Sequence, residues 1–127
     1  MNTPRLATFM TRHPHSIRVD ETVHHAQKIM EKLSVRHLPV LSAGEIVGVV
    51  SDRDLRLVRG DAHVVKVEDV CVDEPVTVDV DTSVFVVAGI MAERRVGSVL
   101  VTEDGKLAGI FTTTDACRTL AAALAPT

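Results

Sequence analysis

Two short stretches of this 127-residue chain set a hydroxyl side chain three residues before a carboxylate. They are Ser51 and Asp54 in GEIVGVVSDRDL, and Thr112 and Asp115 in GKLAGIFTTTDA. A hydroxyl can donate to a phosphate oxygen, and a carboxylate can accept from both hydroxyls of a ribose. The same residue types at this spacing also form a capping box, which satisfies the first free amides of a helix. The two readings are compatible, and the motif alone does not separate them. Each pair follows an apolar run and opens a helical stretch, where exposed amides and partial positive charge suit an anion. The glycines inside the runs, Gly48 and Gly109, lead us to expect a ligand lying close against the strand backbone.

The elements that must position these residues also come in duplicate. An offset of 61 residues, the distance from Gly44 to Gly105, aligns the chain with itself without a gap. It superposes Pro14 on Pro75, Asp20 on Asp81, Ile29 on Ile90, Met30 on Met91, Gly48 on Gly109 and Asp54 on Asp115. In each copy the periodicity predicts strand, helix, strand, strand, helix. The first copy reads as a strand at Ser16–Val19 and a helix capped by Asp20 or Thr22, with apolar positions Val23, Ala26, Ile29, Met30 and Leu33. A hairpin of VRHLPVL and EIVGVVS about a short SAG turn follows, then a helix over DRDLRLVRG. The second copy gives Val76–Val78, Ser83–Arg95, Ser98–Thr102, Lys106–Thr112 and Thr114–Leu124. Short lead-ins, Arg5–Met10 and Lys66–Val70, precede the copies. Sixty residues are marginal for a lone core, so residues 1–60 and 61–127 are expected to pack as one α/β body with pseudo-twofold symmetry. The polar stretch Arg59–Val64 reads as the boundary between them.

Both halves resemble CBS (cystathionine-β-synthase) domains, most specifically in VRHLPV and in the doubled pattern of glycine, two apolar residues, Ser or Thr, and Asp. The resemblance covers about Met10 to Leu120 and implies a Bateman module of two tandem β-α-β-β-α repeats. Such modules commonly regulate by binding adenosine-containing ligands such as AMP, ADP, ATP or S-adenosylmethionine, and need no other cofactor. The resemblance places phosphate contacts on Ser51 and Thr112 and ribose contacts on Asp54 and Asp115. It adds the basic pair Arg36 and His37, and puts adenine among Ser16, Ile17, Leu38 and Pro39 and their counterparts Thr77, Val96 and Ser98. In the family each of two clefts draws on both repeats. Arg53, at the start of its helix, could join the phosphate end, although Arg53, Arg56 and Arg59 also read as a solvated face. Where the first copy has Arg36 and His37 the second has Gly97 and Ser98, so two equal sites are not expected.

Composition narrows the alternatives. The chain carries a net charge of −3, with three Phe and neither Trp nor Tyr. It therefore offers neither a basic patch nor the stacking platforms that nucleic acid would need. No apolar run reaches the roughly 18 residues of a membrane span, and the first residues do not read as a signal peptide, so a cytoplasmic protein is expected. His13/His15 and His24/His25 are the only close histidine sets, without a cysteine or carboxylate cluster beside them, so no metal site is expected. Cys71 and Cys117 have no ligand spacing and read as two buried free thiols. No nucleophile–base pair or phosphate-binding Gly-Lys-[ST] loop is present, so no catalytic residues are assigned and the chain is not expected to be an enzyme. The helix SVFVVAGIMA is apolar nearly all round, which points to cover on a second side. A homodimer through Phe85 and Val86, signalling to a separate effector protein, is the expectation.

Overall fold

The computed structural model describes residues 4–126, so the outermost ends of the two expected repeats, residues 1–3 and 127, lie outside the described residues. In chain order the elements are α1 (Leu6–Phe9), β1 (Thr11–Arg12), β2 (Ile17–Arg18), α2 (Val23–Leu33), β3 (His37–Ser42), β4 (Glu45–Ser51) and α3 (Asp52–Arg56). A 3₁₀ turn at Val67–Asp69 precedes β5 (Val72–Asp73), β6 (Thr77–Asp79), α4 (Val84–Arg94), β7 (Ser98–Glu103), β8 (Lys106–Thr112) and α5 (Thr113–Leu124). The mixed α/β class and the duplicated unit are as expected from the periodicity, and β4 and β8 have the predicted bounds.

The chain forms two compact units, one of His15–Pro75 and one joining residues 4–14 to 76–126. These units divide at Pro14/His15 and Pro75/Val76, whereas the sequence copies meet near residue 60. The difference lies in the lead-ins. In the first unit the sheet runs β2-β3-β4-β5, with β2 parallel to β3 and the other pairs antiparallel. In the second it runs β6-β7-β8-β1, with β6 parallel to β7. Each hairpin thus has its outer edge closed by a two-residue strand from a lead-in: β5 on β4, and β1 on β8. An open edge would leave a row of unpaired backbone groups.

This closure explains Gly48 and Gly109 and corrects the expectation that they make room for a ligand. A methyl group on Gly48 would lie 2.7 Å from the Val72 carbonyl oxygen and 3.0 Å from the Cys71 sulfur. One on Gly109 would lie 2.9 Å from the Thr11 carbonyl oxygen and 2.6 Å from the Met10 sulfur. The lead-in strands themselves occupy the space that a side chain would fill. Both hairpins turn through two residues at positive φ, Ala43 and Gly44 (50° and 81°) and Asp104 and Gly105 (53° and 78°). That is the turn whose twist matches the flanking strands.

Helix α2 starts at Thr22, whose hydroxyl accepts from the His25 amide at 3.1 Å. It buries Val23, Ala26 and Met30 against Ile17, Leu38, Val40, Val50, Leu55 and Val67. The expected boundary segment is not a free linker. Its backbone meets the first turn of α2, where the amides of Val23 and His24 donate to the carbonyls of Val65 (2.9 Å) and Ala62 (2.8 Å). His24 stacks on His63 with ring centroids 4.0 Å apart. In the other unit α4 starts at Ser83 and buries Val84, Val87 and Met91 with Leu6, Met10, Val99, Val101 and Phe111. Leu6 and Val67, one from each lead-in, are thus core residues.

Gly48→Ala and Gly109→Ala should each lower the unfolding free energy by about 1–3 kcal/mol, because the lead-in backbone must move to admit a methyl group. Urea denaturation checks this; unchanged midpoints in both variants would refute the close crossing.

Candidate functional site

In each unit the strand after the hairpin turn ends where a helix begins. In the unit of residues 15–75, Ser51 is the N-cap of α3 with extended backbone (φ −105°, ψ 163°). Its hydroxyl accepts from the Asp54 amide at 3.0 Å, and its own amide donates to Asp54 Oδ2 at 2.9 Å. The capping box is therefore formed. The Asp52 amide donates to the Arg36 carbonyl at 2.8 Å, tying the start of α3 to the residue before β3. Register sets His37 opposite Ser51 and Ile17 opposite Val40, so Ser16, Arg36, His37, Ser51 and Asp54 share one end of the sheet.

The remaining expected residues of this unit divide by strand alternation. Ile17 and Leu38 point into the core, with 3% and 1% of their surfaces exposed, so toward a ligand they can offer only backbone. Pro39 is also fully buried, but lies outside that cluster. Arg36 and Arg53 are exposed, while His37 and Asp54 are half-buried. Burial holds the His37 imidazole below its ordinary value of 6.5, aided by Arg36 and opposed by Asp52 and Asp54. Nearby on the lead-in, partial burial pushes the Cys71 thiol up, with Asp73 and Asp54 adding to the effect; the expectation of two buried thiols fails, since Cys71 is only half-buried and Cys117 lies exposed on α5. Among the described residues no donor reaches Asp54 Oδ1, which is left with its acceptor capacity open.

The other unit repeats the backbone and changes the side chains. Thr112 lies opposite Ser98, and the Thr113 amide donates to the Gly97 carbonyl at 3.1 Å, as Asp52 does to Arg36. Asp115 Oδ2 accepts from the Thr112 amide at 2.9 Å and from its hydroxyl at 3.1 Å. Asp115 Oδ1 accepts from Arg118 Nη1 at 3.2 Å. The Asp115 side chain is 4% exposed and both its oxygens are engaged. Ser98 is buried, Val96 half-buried and Thr77 exposed, at the corresponding end of β6 and β7. The structure therefore groups the fourteen expected residues into two sets, one in each unit.

Arg118 was not singled out in the sequence, although it lies one helical turn after Asp115, a spacing that brings side chains together. A cleft of about 440 Å³ between α2 and α3 was also not anticipated. Met30, Val35 and Leu55 form its apolar wall and Arg36 and Asp52 its rim, but Ser51, His37 and Asp54 do not line it. It lies beside the junction and shares Arg36 and Asp52 with it. Among the described residues no three His, Cys, Asp or Glu side chains form a group that could hold a metal. No helix among them is long and apolar enough to cross a membrane.

This duplicated strand-to-helix junction is the architecture of CBS domains, and the family's profile matches residues 6–60 and 67–122. The chain belongs to that family, with two CBS domains in tandem. It is 38% identical over 101 residues to protein YlbB of Bacillus subtilis, covering 75% of this chain and 68% of that one. The CBS domain pair of protein MJ0100, solved with 5′-methylthioadenosine and S-adenosyl-L-methionine, superposes with a TM-score of 0.87 at 22% identity, covering 96% of this chain and 99% of that one. CBSX2, solved with AMP, superposes with a TM-score of 0.78 at 27% identity, covering 94% and 97%. The chain also matches inosine-5′-monophosphate dehydrogenases, including that of Staphylococcus haemolyticus (29% identity, 80% of this chain), but spans only 21% of that enzyme's length.

His37 gives the fold a pH dependence with a definite sign. Its folded-state value lies below its ordinary 6.5, so as pH falls through 6.5 the unfolded chain takes up the proton first. Its contribution is fully present above that value and is lost as pH drops toward the folded-state value. Urea melts should show less loss of stability between neutral and mildly acidic pH in His37→Gln than in the parent; equal losses would contradict the burial of this imidazole.

Proposed function

We propose that this chain is a regulatory module, without catalytic activity of its own, that binds an adenosine-containing ligand of the AMP, ADP or ATP type and signals its occupancy to a separate protein. The observation that carries the reading is the Asp54 carboxylate. One oxygen holds the helix start, while the other has no donor among the described residues and lies at the same sheet end as Arg36, His37 and Ser51. Asp54 Oδ1 would accept from the ribose hydroxyls, and the Ser51 hydroxyl and the Arg36 guanidinium would meet phosphate. That CBSX2 was solved with AMP, and the MJ0100 pair with two adenosine derivatives, supports the ligand class. Signalling requires that the ligand bind two arrangements of the module with different affinity.

A second reading has a specific observation in its favour: the Ser51–Asp54 capping box is complete without a ligand. On that reading the chain is a structural dimerisation module. Asp54→Ala separates the two. Both predict a loss of about 0.5–2 kcal/mol from the cap, but only the sensor also loses ligand affinity. A thermal-shift panel of AMP, ADP, ATP and S-adenosylmethionine should raise the parent's melting midpoint with at least one ligand and leave Asp54→Ala unmoved. No shift at millimolar ligand would favour the scaffold.

Dimerisation is part of the proposal. Helix α4 turns Phe85 (81% exposed) and Val86 (46%) away from its core, an apolar face without cover among the described residues. Phe85→Glu with Val86→Lys should halve the mass in solution measured by light scattering; an unchanged mass would place the interface elsewhere.

A further inference from the structure

The two junctions differ at one position that bears directly on whether a ligand can enter. Arg118 reaches Asp115 Oδ1, and the equivalent position 61 residues earlier, three residues after Asp54, is Leu57. We propose that Arg118 is an internal competitor for the ribose subsite of its own unit, keeping the Thr112–Asp115 junction closed while the Ser51–Asp54 junction stays open. This rests on the adenosine reading above. It adds a regulation that the reading does not contain.

The geometry sets the terms of the competition. Asp115 offers two carboxylate oxygens. Oδ2 is taken by the Thr112 amide and hydroxyl, as the helix start requires. Oδ1 is therefore the atom left for a ribose, and it is the atom that Arg118 holds. With its side chain 4% exposed, the carboxylate has little access to water, so releasing the guanidinium without a replacement donor leaves a buried charge short of partners. A ligand must supply those donors as Arg118 leaves. Arg118 is itself 67% exposed, so it can swing into solvent when displaced. Thr119 keeps the backbone in place by donating its hydroxyl to the Asp115 carbonyl at 2.8 Å. At the other junction Leu57 is 70% exposed and has no group that could compete for Asp54.

Exchanging the two residues between the copies tests this. Isothermal titration with AMP should give one bound AMP per chain for the parent. Arg118→Leu should gain a second, and Leu57→Arg should weaken the first by roughly tenfold, the scale of one charge-assisted hydrogen bond. The second AMP of Arg118→Leu should disappear when Asp115→Asn is added. Two AMP of similar affinity in the parent would overturn the proposal. So would a single unchanged site or weaker binding in Arg118→Leu, or a second site that survives Asp115→Asn. No AMP binding by any of these proteins would instead overturn the adenosine reading on which the proposal rests.

Discussion

Both sheets depend on a crossing that leaves no room for a side chain. Strands β4 and β8 each end at a candidate binding junction, and each is held flat against a two-residue lead-in strand at Gly48 or Gly109. A two-residue strand contributes few ladder bonds, so the edge depends on close backbone approach and on the core side chains carried beside it. Val67 leads into β5 and Leu6 and Met10 lead into β1, and all three are core residues. With the edge closed, the last residue of β4 or β8 has a fixed direction, and the helix start that follows inherits it. Ser51 and Thr112 are thus held by pairing with β3 or β7 on one side of the strand and braced by the lead-in strand on the other.

Duplication of the backbone with divergence of the side chains is the main functional theme. The two junctions share extended N-caps, a carboxylate at the third helical position, and an amide bonded to the carbonyl before the neighbouring strand. None of these shared contacts discriminates among ligands. The differences fall on groups free to act: Arg36 and His37 against Gly97 and Ser98, and Leu57 against Arg118. One junction combines an open carboxylate oxygen with nearby cationic or donor side chains. The other has a buried carboxylate satisfied from within its own helix. A single fold unit, copied, therefore gives one junction with a carboxylate oxygen open among the described residues and one that is self-satisfied.

Local structure was largely legible in the sequence, because each signal acts over a few residues. Alternation and turn residues gave β4 and β8 their bounds, and hydroxyl residues before apolar periods marked the starts of α2, α4 and α5. Helix α3 is shorter than its sequence predicts. The expected run to Gly60 stops at Arg56, because the chain beyond it turns back to meet the first turn of α2. The pairing of the lead-ins was not legible. Strands of two residues carry no periodicity, and the choice of edge is a long-range decision. For the same reason Gly48 and Gly109 were assigned to a ligand, when a neighbouring strand fills their space. Arg118 carries no signal in the sequence, because an exposed arginine on a helix ordinarily reads as solvated. Only the burial of Asp115 gives the pair its meaning.

On the proposed reading, the two junctions are equal as helix starts and unequal as binding sites. Titration of the ¹⁵N-labelled protein with AMP, followed by amide chemical shifts, tests this most directly. The amides of His37, Ser51 and Asp54 should move at lower AMP concentrations than those of Ser98, Thr112 and Asp115. Movement of both sets together, or of the second set first, would contradict it.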